Sequence, residues 1–334
     1  MLARVAEALY WTARSIERAE TFSRLLEVSH AMALEGDLGN GRGTRGVWEP
    51  LVDITGDRER FLAGHVRADE RSVAWFLTFS ESNPNSILAC IARARLNATT
   101  VRNLLPPDVW ESLNSAALEL RDWPPEALAR SGVYEFCQTV RRASHLIQGV
   151  MDQGMRHDDA WQFLRLGRHL ERAEKTARLL EVKFHFLVPD DPALDAPADL
   201  HQWRALLSAA SAEEAYAHLG AAWSNPETVA RFLLLDDRFP RSVAHCLREV
   251  EAALVELTAL GAVPEGSSAL RLAAGARAAL GEARIGEPAL WRRLDRIQLS
   301  CNEIDEALSM ACFAYPAHRA GGAQHSQAVR QAQN

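Results

Sequence analysis

Two stretches of this sequence place arginine and glutamate at spacings that could hold a charged ligand or each other. Arg14 to Val28 reads RSIERAETFSRLLEV, and Arg168 to Val182 reads RHLERAEKTARLLEV. The stretches share Arg14/Arg168, Glu17/Glu171, Arg18/Arg172, Ala19/Ala173, Glu20/Glu174 and the run Arg24 to Val28, which returns as Arg178 to Val182. On a helix, Arg14 with Glu17 and Glu20 with Arg24 are neighbours, each pair contributing ~0.2–0.5 kcal/mol. Arg14 and Arg18 also stack, as do Arg168 and Arg172, which is unfavourable unless carboxylates arrive from elsewhere. Two outcomes satisfy this pattern. The arginines of one helix can meet Glu171 and Glu174 of the other, and the reverse, as a buried ion-pair network. Alternatively, Arg14, Glu17, Arg18, Glu20, Arg168, Glu171, Arg172 and Glu174 line a cleft for an acidic or zwitterionic ligand.

Other chemistry is less well specified. Glu27-Val28-Ser29-His30 has the Glu-x-x-His spacing of carboxylate-bridged di-iron bundles. Glu181 and His185 repeat it with one residue more. The two further glutamates that such a site needs cannot be assigned, so neither metal nor cofactor is expected, and Glu27, His30, Glu181 and His185 remain the residues to inspect. His145 reads as an interface histidine. Gly36 to Gly43 is glycine-rich but lacks the Lys-Ser/Thr of a P-loop and follows no strand, so it reads as a connection. No Ser/His/Asp order, HExxH or nucleotide fingerprint is present.

The elements that would position these side chains are helices. Leu2, Val5, Leu9, Ile16, Ala19 and Leu26 recur at spacings of three and four, lining one face. The first helix is expected from about Leu2 to Leu34. Further helices are expected around Trp48–Ile54, Asp69–Phe79, Asn83–Leu104, Val109–Leu120 and Val133–Met155. The second half gives Ala160–Leu187, Trp203–Ala209, Glu213–Gly220, Thr228–Leu235, Arg241–Leu260, Ser268–Leu280 and Pro288–Tyr315. Asn83 is placed to cap its helix, with Pro84 in the first turn. Arg95 and Arg102 fall two turns apart on one side of that helix. No strand pattern occurs, so the fold class is all-α.

Repetition extends beyond the two charged stretches. Trp48 falls on Trp203, Val73-Ala74-x-Phe76-Leu77 on Val229-Ala230-x-Phe232-Leu233, and Pro84-x-Ser86 with Cys90 on Pro240-x-Ser242 with Cys246. The expected architecture is a multi-helix bundle of two tandem homologous halves, 1–157 and 158–315, packed as one domain about an approximate twofold. Residues 316–334, without apolar periodicity, are expected to be a disordered tail. The 334 residues carry a net charge of −7, which argues against nucleic acid as the main partner. Five cysteines without a CxxC pair give neither a disulfide framework nor a zinc site. The N-terminus enters an amphipathic helix at once, and no apolar run approaches the ~20 residues of a membrane span. A soluble, cytoplasmic protein is expected.

Several blocks resemble the bacterial alpha-E family. They are Leu9-Tyr10-Trp11 with Glu17-Arg18-Ala19-Glu20, Asn83-Pro84-x-Ser86 with Arg95 and Asn97, and Phe239-Pro240-Arg241-Ser242. The longest is Asp159-x-Trp161-x-Phe163-x-Arg165-Leu166-Gly167-Arg168-x-Leu170-Glu171-Arg172-Ala173-Glu174, with Lys183 and His185 beyond. Some relatives carry Asp where this chain keeps Glu174. The resemblance covers nearly the whole chain apart from the tail. It implies a helical protein without an established activity, encoded beside or fused to a circularly permuted ATP-grasp enzyme, with transglutaminase-like and proteasome-related peptidases nearby. It thereby implies a helical partner or substrate-presenting module for an ATP-grasp-type amide ligase, with a peptide-like ligand. The alternatives are a stand-alone enzyme using Glu and Arg, with His30 or His185, and a purely structural bundle.

Overall fold

Apolar residues at helical spacing fold into helices along the chain, and no strand occurs among the described residues. The computed structural model describes residues 1–39, 45–128, 132–187, 196–220, 226–281 and 287–313. The first eight helices are α1 (Ala3–Gly39), α2 (Arg45–Thr55), α3 (Arg58–Gly64), α4 (Glu70–Thr78), α5 (Ile87–Thr100), α6 (Pro107–Arg121), the single turn α7 (Pro125–Ala127) and α8 (Val133–Gly154). The rest are α9 (Asp159–Leu187), α10 (Ala196–Ala209), α11 (Glu213–Ala217), α12 (Pro226–Leu235), α13 (Val243–Ala259), α14 (Ser268–Gly281) and α15 (Glu287–Leu308), which runs into a π turn at Ser309–Phe313.

The charged stretches lie on α1 and α9, which pack against each other at the centre of the molecule. Around α1 stand α5, α6 and α8, with α6 closing the set against its two neighbours. Around α9 stand α13, α14 and α15, with α14 in the corresponding place. Crossing contacts tie the sets together: α2 packs on both central helices, and so does α10. Leu9, Tyr10, Ile16, Phe22 and Leu26 of α1 are completely or almost completely buried, as are Phe163, Leu166, Leu170 and Leu180 of α9. Burying each large side chain contributes about 1.5–3 kcal/mol.

One glycine sets how closely the central helices approach. A Cβ on Gly167 would stand 2.3 Å from the Tyr10 carbonyl oxygen and 3.3 Å from Arg14 Cγ. The short crossing brings the arginines of one helix within reach of the glutamates of the other.

Several expected boundaries move. Helix α1 does not stop at Leu34 but continues to Gly39. A single glycine costs a helix only about 1 kcal/mol relative to alanine, and Gly36 is not followed at once by a second breaker. Residues 40–44 and the tail 314–334 lie outside the described residues. Asn83 does not cap α5. Its side chain instead ties the turn between α4 and α5, donating to the Phe76 carbonyl at 3.1 Å and accepting from Asn85 N–H at 2.9 Å. Ser86 is the cap, accepting from Ala89 N–H, and Ser242 caps α13 in the same way, accepting from His245 N–H at 3.1 Å. The short α3 was not expected at all, because its seven residues RERFLAG offer only Phe61 as a fully buried anchor.

Candidate functional site

The glutamates at the crossing are sealed from water. Glu17, Glu20 and Glu171 have no exposure, and Glu174, Arg14, Arg18 and Arg172 are also buried. Burying a charge is costly unless it is paired and hydrogen-bonded, and here the pairing is reciprocal. Arg18 forks onto Glu171, with Nε 2.6 Å from Oε1 and Nη2 2.9 Å from Oε2. Arg172 forks onto Glu17, with Nε 2.8 Å from Oε1 and Nη2 2.7 Å from Oε2. Both are bidentate guanidinium–carboxylate pairs, the geometry in which such bonds are strongest. Each Glu-Arg dipeptide thus satisfies the other.

The next shell is not symmetric. Arg14 spans three acids: Glu171 at 2.8 Å, Glu174 at 3.0 Å and Asp305 of α15 at 2.7 Å. Asp305 also accepts from the Tyr10 hydroxyl at 2.5 Å. Arg168, at the matching position of α9, turns outward to Asp152 at the end of α8, 2.8 Å away. Arg241 takes the inner place, donating to Glu17 at 2.9 Å and to Glu20. Asn85, which stands between Pro84 and Ser86 as Arg241 stands between Pro240 and Ser242, accepts from Arg18 at 2.7 Å. A guanidinium and an amide at equivalent turns therefore serve opposite ends of the seam. Glu20 is further held by Arg24 at 2.9 Å and by the Ser144 hydroxyl at 2.6 Å. Lys175 stands 3.1 Å from Glu174.

Electrostatics follow from this geometry. Burial would push the Glu171 carboxyl up, but Arg18, Arg14 and Lys175 hold it well below the usual carboxylate range. Glu20 is likewise held well below that range, against its burial, chiefly by Arg241, His145 and Arg24. Burial wins at Arg24, whose pKa falls despite Glu20, with Arg241 and Arg141 adding like charge. Beside the seam, burial and the nearby Arg172 and Arg168 push the buried His169 imidazole well below its usual value, and its Nδ1 has no hydrogen-bond partner. Four cysteines are interior thiols and Cys312 is partly buried: Cys90 and Cys246 donate to the Asn85 and Pro240 carbonyls, and burial pushes Cys246 up to about 12.

A pH prediction arises here. An unfolded histidine gains its proton below about pH 6.5, whereas folded His169 stays neutral, so stability is full above about pH 6.5 and declines as pH falls below it. The seam glutamates add a steeper loss below about pH 4.3, where the unfolded chain binds protons that the folded chain refuses. Melting temperature against pH is expected to show two descending limbs, and His169→Gln is expected to remove the upper one alone.

The remaining candidates do not join the seam. Arg95 is exposed on α5, 2.8 Å from Asn114, and its guanidinium shares the face of Trp110 with Arg102. Glu27 pairs with Arg141 at 2.8 Å, and His30 Nδ1 lies 2.8 Å from Glu70, both contacts lacking hydrogen-bond alignment. Glu181 accepts from Gln298 at 2.5 Å. His185 lies outside the residues whose side chains are described. No three His, Cys, Asp or Glu side chains converge as metal ligands among the described residues. Beside the seam, the gap bounded by Ile16, Gln148, Trp161 and Arg168 is only about 10 Å³, at most one water. Of the residues that complete the seam, Arg241 was legible as part of Phe239-Pro240-Arg241-Ser242. Asp305 carried no signal, because α15 has no counterpart motif.

A family described as a predicted alpha-helical domain with a conserved ER motif, Alpha-E, matches residues 1–313. The chain belongs to the Alpha-E family. Of the ER dipeptides in this chain, Glu17-Arg18 and Glu171-Arg172 are the ones that lock α1 to α9. The chain is also similar to uncharacterised proteins of Mycobacterium bovis and Mycobacterium tuberculosis, each 29% identical over 268 residues, covering 76% of this chain and 30% of the relative. The chain thus spans less than a third of the length of these relatives. No solved structure matches it. No helix among the described residues is long and apolar enough to cross a membrane.

Proposed function

We propose that this Alpha-E chain is a cytoplasmic helical partner module that docks on, or presents substrate to, an ATP-grasp-type amide ligase. The observation that carries this reading is the closure of the seam. The ER residues are spent on one another, and the gap beside them bounded by Ile16, Gln148, Trp161 and Arg168 is only about 10 Å³, so they act as a brace that holds outer surfaces in place. The mycobacterial relatives support it from another side, since the matched segment makes up 30% of chains that continue well beyond it. The matching order of helices around α1 and α9, with the paired motifs, supports two homologous halves, 1–157 and 158–315, packed as one domain.

A stand-alone enzyme is the second reading, favoured by one place. Glu20 holds the Ser144 hydroxyl at 2.6 Å, and the imidazole of His145, 58% exposed, stands 3.3 Å from the same carboxylate. A general base works best with a pKa near the operating pH. Glu20, held well below the carboxylate range, is a weak proton acceptor. The partner reading is therefore preferred. Its test is to purify an ATP-grasp-type amide ligase and to measure complex formation by gel filtration and ATP turnover with and without the chain. Co-elution and faster turnover are expected. A ligase that runs at full rate alone and never co-elutes would show the reading to be wrong.

A further inference from the structure

Away from the seam, the first turns of α1 and the last turns of α5 enclose a cleft of about 320 Å³ lined by Arg4, Glu7, Trp11, Arg93, Asn97 and Thr100. Its size lies at the lower end for small-molecule sites. Glu7 is half-buried here, burial raises its pKa, and it has no ion pair among the described residues. An ionised carboxylate in that setting lacks the partner that every seam glutamate has. Arg4 is exposed at the rim and has no ion pair among the described residues. Arg93 uses one guanidinium nitrogen on the Pro84 carbonyl. Trp11 forms an aromatic wall, with the Arg14 guanidinium carbon 5.0 Å from its ring centroid.

An unpaired carboxylate beside an indole is a receptor for an ammonium group, which gains from the charge and from the ring quadrupole. Two guanidinium groups lining the same small cleft are a receptor for a carboxylate. We propose that this cleft binds a small zwitterion, an amino acid or short peptide with both termini free, its ammonium on Glu7 against Trp11 and its carboxylate on Arg4 and Arg93. The Asn97 amide adds a neutral donor and acceptor for a peptide bond. This site stands whether or not a ligase docks on the chain, and its test involves no partner.

The test is calorimetric titration of the full chain with L-alanyl-L-alanine, with its N-acetyl derivative and with its C-terminal amide. Saturable binding of the free dipeptide is expected, with each blocked form weaker by at least about tenfold, as for loss of one charged hydrogen bond. Glu7→Gln is expected to abolish the preference for the free ammonium, and Arg4→Gln to weaken the preference for the free carboxylate. Both variants should melt at or above the wild-type temperature, since neither removes an ion pair. No saturation into the millimolar range, equal binding of free and blocked dipeptides, or unchanged binding by a folded Glu7→Gln variant would each overturn the proposal.

Discussion

Glu171→Gln is expected to lower folding stability by about 3–5 kcal/mol, the usual cost of removing one partner from a buried ion pair. Glu171 accepts from both Arg14 and Arg18 and has Lys175 3.8 Å away, all in a region sealed from water. The amide keeps the shape and part of the hydrogen bonding, but three cations lose the charge that offsets their desolvation. In urea the midpoint should fall while the slope stays that of wild type, because the surface exposed on unfolding is the same. Asp122→Asn is the control. Asp122 pairs with Arg121 on the open surface at 2.8 Å, and solvent screens that pair, so its midpoint should stay where it is. A Glu171→Gln midpoint equal to that of wild type would mean that the seam charges are solvated rather than sealed.

Gly167→Ala is expected to destabilise the fold strongly, although it only adds a methyl group. Alanine in a helix interior ordinarily gains about 0.5–1 kcal/mol over glycine. Here the added methyl would stand 2.3 Å from the Tyr10 carbonyl oxygen, which is backbone and cannot swing aside. The helices must separate or shift along each other, costing about 1–3 kcal/mol for overpacking. The bidentate Arg18–Glu171 and Arg172–Glu17 pairs then lose their alignment, so the total should exceed overpacking alone. Gly149→Ala is the internal comparison. Gly149 lies inside α8 with nothing within 4 Å of an added Cβ, and its substitution should raise the melting temperature. Opposite signs at two helical glycines would place the effect in the crossing rather than in helix propensity.

Much of this was legible in the sequence. Helices announced themselves where apolar residues recurred over many turns, as in α1, α8, α9 and α13. The seam announced itself through like charges stacked at Arg14 and Arg18, an arrangement that calls either for acids from another helix or for a charged ligand. What the sequence hid was which arginine would fill the inner place. Arg168 has the same local sequence as Arg14, yet Asp152 draws it outward while Arg241, arriving from the turn before α13, meets Glu17 and Glu20. That exchange depends on which long side chain reaches the buried acids first in three dimensions, and helical periodicity carries no such information. Asn83 misled for a related reason. Local rules favour it as a cap, but the turn needed its side chain to bind the end of α4, and Ser86 was free to take the cap. The Glu7 cleft was invisible because its residues come from two helices that are distant in sequence.

The most direct test of a sealed, reciprocal ER seam is a double-mutant cycle on Arg18 and Glu171, using Arg18→Ala, Glu171→Gln and the pair, each followed by urea unfolding. Contacting charges in one network typically couple by about 0.5–3 kcal/mol, and this bidentate buried pair is expected in the upper part of that range, with the double variant losing clearly less than the sum of the singles. Additivity within about 0.3–0.5 kcal/mol would contradict the account, because it would mean that each charge is stabilised without the other.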